Sequence, residues 1–177
     1  MRVILLLVAL TCLQTVYAQD YCKRIKKEVS EDKTAFDYTS PYDQNEKPSL
    51  TVKRSYNINS DEPFDNFILQ FRIVGPLDDI YTKTADGNQV EKEEKILTVE
   101  FDDKTKFVDD TIQVDHDISD DRIFAIRYLN FPLSGEALKD FTTKKIAKFT
   151  LAGYSQTVTI DSATSIQHYI QCMKAVK

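Results

Sequence analysis

Tryptophan is absent from this 177-residue chain, glycine occurs four times, histidine twice and cysteine three times. Each scarcity removes a class of chemistry. Glycines at 75, 87, 135 and 153 are too scattered to build a phosphate-cradling loop, which needs closely spaced residues whose backbone N–H groups can approach an anion. Because His116 and His168 are the whole imidazole supply, a Ser/His/Asp or Cys/His centre would have to use one of them. The nearest approach to a nucleophile elbow, Gly153-Tyr154-Ser155-Gln156-Thr157, lacks the closing glycine and lies between strand-like segments, whereas the elbow requires strand, turn and helix. The missing tryptophan leaves tyrosine as the aromatic platform for a glycan.

Long apolar runs are also missing after the first residues. A positive start at Arg2, an apolar stretch from Val3 through Leu10 to Leu13, and Val16-Tyr17-Ala18 read as a secretory signal over residues 1–18 with cleavage before Gln19. Thr11, Gln14 and Thr15 break the run well short of the ~20 apolar residues that span a bilayer. Lipid attachment at Cys12 is disfavoured because Ala9-Leu10-Thr11 places no glycine or alanine directly before the cysteine. The expectation is a secreted or periplasmic protein with no transmembrane segment in the mature chain, and a single β-rich domain over 19–177. Neither linker nor internal repeat divides it.

Beyond the signal, Cys22 and Cys172 are the only thiols. In an oxidising compartment they are expected to form a disulfide that ties the two ends together. Their spacing is unlike the Cys-x-x-Cys arrangement of redox and metal-binding pairs.

The hydrophobic periodicity is of the β kind. Leu50, Val52, Arg54, Tyr56 and Ile58 alternate with polar residues, and Phe67, Leu69, Phe71 and Ile73 repeat the pattern as far as Gly75-Pro76, as half-buried strands do. Asp86-Gly87 is a hairpin signal before a strand at 96–101. Further strands are predicted at 34–39, 107–108, 111–114, 145–151 and 157–160, and a strand rather than a helix is favoured for the opening segment around Tyr21, Ile25 and Val29. The nearly continuous apolar run Ile123 to Leu129 reads as a central strand covered on both faces, with the Arg127 guanidinium reaching the sheet margin or a carboxylate. Ser134-Gly135-Glu136-Ala137 opens a short helix near 134–142, and Ile166, Ile170, Met173 and Val176 predict a C-terminal helix carrying Cys172. The resulting fold class is mainly β, an antiparallel β-sandwich or open barrel with helical trim.

The segment 102–121 holds eight aspartates. Asp115, Asp117 and Ser119 match the first ligand positions of a calcium loop, but Asp120 stands where the loop needs glycine and Ile126 where it needs the bidentate glutamate. No metal site is therefore assigned; Asp115, Asp117 and Asp121 are weak candidates only, and a solvated loop rich in turn-forming aspartates is the expected structure. Adjacent pairs such as Asp109-Asp110 do not serve glycoside hydrolysis, since neighbours on a strand face opposite ways.

Loss of Arg2 with the signal takes the net charge from −5 to −6, which repels nucleic acid. The lysines and arginines at 23–24, 26–27 and 144–148 are read as edge-strand protection. No cofactor is implied. The function expected from the sequence is a non-catalytic binding module for an unidentified protein or glycan partner; the alternative is a carboxylate-based, optionally calcium-dependent hydrolase.

Overall fold

The computed structural model describes residues 20–41, 49–58, 63–76, 81–83, 86, 89–91, 96–118 and 124–176. The predicted signal over 1–18, together with Gly87, Asp121 and Ile123, lies outside the described residues. A helical turn at 20–23 opens the described chain. Strands β1 (Lys26–Val29), β2 (Ala35–Thr39), β3 (Ser49–Asn57), β4 (Phe64–Pro76), β5 (Tyr81–Lys83), β6 (Gln89–Glu91), β7 (Leu97–Phe101), β8 (Lys106–Asp109), β9 (Asp115–Ile118) and β10 (Phe124–Pro132) follow. Helix α1 (Gly135–Thr143), strands β11 (Ile146–Leu151) and β12 (Tyr154–Thr157), and helix α2 (Ile160–Ala175) complete it.

The fold is mainly β, as expected, with two larger antiparallel sheets, and no closed barrel among the described residues. One sheet has the order β1-β2-β3-β4-β10-β9, the other β12-β11-β7-β8, and β5-β6 is a separate ribbon. The alternation read from the sequence fixes which face is apolar. On β4, Phe67, Leu69, Phe71 and Ile73 are buried while Ile68, Gln70, Arg72 and Val74 between them are not. The buried row meets Leu97, Val99 and Phe101 of β7 and Ile146, Phe149 and Leu151 of β11 in one core. Phenylalanines bridge the layers: Phe71 lies 5.0 Å from Phe149 and 6.4 Å from Phe141 of α1, which in turn meets Phe101, Phe107 and Phe131. Such offset and edge-on pairs add to the area they bury.

Helix α2 closes the core beside β3 and β11. Thr159 caps it, accepting from the Ser162 N–H at 3.2 Å, and Ala163, Ile166, Tyr169, Ile170 and Met173 form its buried stripe. Its C-terminal end is held twice. Cys172 is bonded to Cys22, with Cα atoms 5.4 Å apart. Arg54 of β3 donates to the carbonyls of Met173 and, at 2.9 Å, Val176, satisfying groups that a helix end leaves unpaired. The same guanidinium makes two 2.8 Å bonds to Asp65.

That fork holds the Asp65 carboxyl below its usual value, chiefly through the hydrogen bonds from Arg54. A depressed folded-state pKa stabilises the fold above the unfolded carboxylate range, and the contribution is lost as pH falls through the folded value. Arg54→Ala is expected to cost about 2–3 kcal/mol, because it also strips charge-assisted bonds from the helix carbonyls. Asp65 is largely exposed, so Asp65→Asn should cost at most about 1 kcal/mol. Urea unfolding at pH 7 and at pH 3 checks both: the Asp65→Asn deficit should shrink at the lower pH while the Arg54→Ala deficit persists.

Several expectations are corrected. The opening segment is a helical turn followed by β1, since Tyr21 packs on His168 and Tyr169 of α2 rather than on a neighbouring strand. Residues 111–114 are not a strand; the extended segment is Asp115–Ile118, which pairs with β10, so this acidic stretch is the edge of a sheet and not a solvated loop. The strand predicted at 157–160 is β12, ending at Thr157, and Ile160 begins α2. The shift follows from a tight turn at Ala152-Gly153, with φ of 52° and 79°, which fits the two-residue hairpins that twist with their strands.

The run ending at Leu129 is not covered on both faces. On β10, Ala125, Arg127, Leu129 and Phe131 are buried, whereas Ile126 and Tyr128 are half-buried and Phe124 and Asn130 exposed. Arg127 does not reach the sheet margin: it is 2% exposed, and its guanidinium lies 3.9 Å from the centre of the Tyr154 ring, a cation–π contact strengthened by desolvation. Gly75, where the strand pattern in the sequence ends, is the penultimate residue of β4 and makes room for this arrangement. A Cβ there would stand 3.0 Å from the Arg127 Nη1.

Candidate functional site

The outer face of the six-stranded sheet, away from the core, carries an open hollow of about 420 Å³ lined by Thr39, Thr51, Lys53, Gln70, Arg72, Asp117, Ile126 and Tyr128. These residues, polar except for Ile126, are the outward-facing half of the strand alternation. Register brings them together: Thr39 stands opposite Lys53, Thr51 opposite Gln70, Arg72 opposite Tyr128, and Ile126 opposite Asp117. Directly opposed residues of an antiparallel pair project from the same face. Gln70 is fixed by donating its Nε2 to Asn130 Oδ1 at 2.9 Å. Thr51 is 4% exposed, which makes it the floor of the hollow.

Charge is distributed unevenly across this face. Lys53 and Arg72 stand on β3 and β4, Asp117 on β9, and Ile126 and Tyr128 lie between them on β10. Asp115 pairs with Tyr128 and so shares the face. The Tyr128 phenol is held above its ordinary pKa, first by the charge of Asp117, then by burial and by Asp115. The hydroxyl is therefore a proton donor at neutral pH, and not a base.

The weak metal candidates fare differently. Asp115 and Asp117 share the outer face, Asp121 lies outside the described residues, and His116 pairs with Arg127, so it belongs to the opposite face. The Asp-His-Asp sequence is thus split by the pleat. Among the described residues no three His, Cys, Asp or Glu side chains are grouped as a metal ion would need. Other acids of the segment serve turns: Asp103 and Asp109 accept from the backbone N–H groups of Thr105 and Thr111 at 2.9 Å. His168 is stacked on Tyr21 at 4.8 Å, a packing role beside the disulfide.

Two lysines of the basic clusters have acidic partners. Lys144 is paired with Asp140 and Asp103 at 3.1 and 3.6 Å, and Lys26 with Glu28. Lys27 lies over the rings of Phe36 and Tyr38. Its neighbours form a second feature, an apolar strip at the end of the inner face: Phe36 stacks on Tyr56 at 4.9 Å, flanked by Val29 and Ile58 at 44% and 59% exposure.

Sequence reasoning singled out Asp117 and missed Lys53, Gln70, Arg72 and Tyr128. For Lys53, Gln70 and Arg72 the only sequence signal is that they occupy the wet positions of strands; Tyr128 lies in a run that reads as buried on both faces. No helix among the described residues is long and apolar enough to cross a membrane. Comparison with protein-family models, with curated proteins and with solved structures gives no match.

Proposed function

We propose that this chain is a non-catalytic binding module of the secreted or periplasmic space, and that it takes its partner on the outer face of the six-stranded sheet. The observation that carries this reading is the hollow itself, a concavity combining hydrogen-bonding groups, both signs of charge, an aliphatic side chain and a tyrosine on strands of one sheet. Binding sites typically combine an apolar surface with a few convergent polar groups held on rigid elements. The exposed Val29 and Ile58 beside the half-buried pair Phe36 and Tyr56 are the kind of apolar surface expected of an interaction module. The disulfide supports an extracytoplasmic location, since such bonds persist in oxidising compartments.

Native extracytoplasmic fractions passed over immobilised protein test the reading. Tyr128→Ala and Ile126→Lys are expected to lose the partner retained by the wild-type chain, while Val108→Ser, on the other sheet, should retain it. Equal retention by all three variants would remove the hollow from the function.

A further inference from the structure

We infer that strand β1 pairs in antiparallel register with β1 of a second copy of this chain, about a two-fold axis through Lys27. β1 ends the six-stranded sheet, and all four of its residues are exposed. Its backbone groups are used on one side. Ser30 donates to the Ala35 carbonyl at 3.0 Å, in line with the register of Glu28 on Asp37 and Lys26 on Thr39. Alternation along an antiparallel ladder therefore turns the N–H and C=O groups of Lys27 and Val29 to the open edge, and such an edge is a template for another strand.

The sequence around Lys27 complements itself under this symmetry. A sheet continued with both inner faces on one side requires opposed residues to share a face. A two-fold through Lys27 meets that condition: Lys26 falls opposite Glu28 of the second copy, Glu28 opposite its Lys26, and Val29, 44% exposed, opposite its Ile25. Lys26 and Glu28 lie 2.5 Å apart within one chain, so four charges alternate in sign around the axis. Asp37 stands beside Glu28 on the same face, and the second lysine offsets this pair of carboxylates. The flanks match as well. Asp20, Lys23 and Arg24 before β1 leave one positive charge in excess, Glu31, Asp32 and Lys33 after it leave one negative, and all six are exposed; antiparallel pairing lays the first group against the second. Lys27 meets its own copy across the axis, but its Nζ is drawn back over Phe36 and Tyr38 of β2, 5.1 and 5.6 Å from the ring centres.

Other registers and the other edges of the two larger sheets lack this match. A two-fold through Glu28 opposes two glutamates. On β9 a two-fold through His116 opposes Asp115 to Asp117, on β8 Lys106 and Asp109 lie on opposite faces, and β12 carries no charged residue. Contact confined to one strand and its flanks is small, in the range of transient encounters, so a weak dimer is expected. A closed two-fold uses each β1 edge once, and association stops there.

Sedimentation equilibrium of residues 19–177 between about 10 μM and about 2 mM tests the inference. The expected result is a monomer–dimer equilibrium, with amide hydrogen exchange at Lys27 and Val29 slowing as concentration rises. Lys26→Glu and Glu28→Lys should each weaken self-association about tenfold or more, because each turns two ion pairs into repulsions. Mixed in equal amounts, the two variants should form a heterodimer, and both changes in one chain should restore the homodimer. Lys27→Pro removes an outward N–H that the sheet does not use, so it should abolish the dimer while the monomer keeps its circular dichroism. A monomer at every concentration, a dimer indifferent to both reversals, or growth beyond the dimer would overturn the inference. Reversals that abolish association singly and fail to restore it when mixed would overturn it too.

Discussion

Replacing Cys22 and Cys172 together by serine is expected to lower the unfolding free energy by about 5 kcal/mol, the largest single effect in this molecule. The bond closes a loop with a sequence separation of 150, and in the chain-entropy model loops of this length restrict the unfolded chain by about that amount. The folded arrangement should survive, because Arg54 still holds the Met173 and Val176 carbonyls and the buried stripe of α2 still packs on β3. Equilibrium urea denaturation of the oxidised and double-serine proteins checks this. A difference under about 1 kcal/mol would mean that the unfolded chain is already compact, contrary to the model. Mass spectrometry of the non-reduced protein should find no free thiol at either position.

Truncation at the centre of the core comes next. Phe71 is fully buried and touches both the second sheet, through Phe149, and helix α1, through Phe141. Phe71→Ala should therefore cost about 3–5 kcal/mol, as large-to-small changes do where the surroundings cannot collapse. Ile126→Ala provides the contrast. Read as the middle of a two-sided strand, Ile126 would behave like a core residue; half-buried on the open face, it should cost only about 1 kcal/mol. Thermal and urea unfolding of the two variants would separate them. Equal losses would require a further layer over the outer face.

The contrast also shows how far the sequence could be read. On β3 and β4 the alternation of Val52, Leu69 and Phe71 with Lys53, Gln70 and Arg72 announces both the strands and their wet face, since period-two patterning is a local property. The segment around Ile126 misled because Phe124, Ile126 and Tyr128 are as apolar as a buried row. The register shows why they stay uncovered: β10 is flanked by β4 and by the short acidic edge β9, and the smaller sheet lies on the other side. The disulfide was legible because, with Cys12 assigned to the expected signal, two cysteines were left to pair. The hollow was not, because Lys53 and Arg72 on β3 and β4 come to share a face with Tyr128 and Asp117 on β10 and β9 only through the pairing of β4 with β10, strands distant in sequence, and nothing local encodes that register. Arg127 was foreseen as a difficulty, but its solution uses Gly75 and Tyr154, two residues that a linear reading places at the end of a strand pattern and beside a turn.

The central claim is that partner recognition belongs to the outer face of the six-stranded sheet. Site-specific photocrosslinking in the proposed extracytoplasmic environment tests it most directly, with the photoreactive residue placed at Tyr128 in one protein and at Val108, exposed on the smaller sheet, in another. Discrete partner adducts from position 128 and none from position 108 are the predicted result. Adducts from position 108 alone, or the same adducts from both positions, would contradict it.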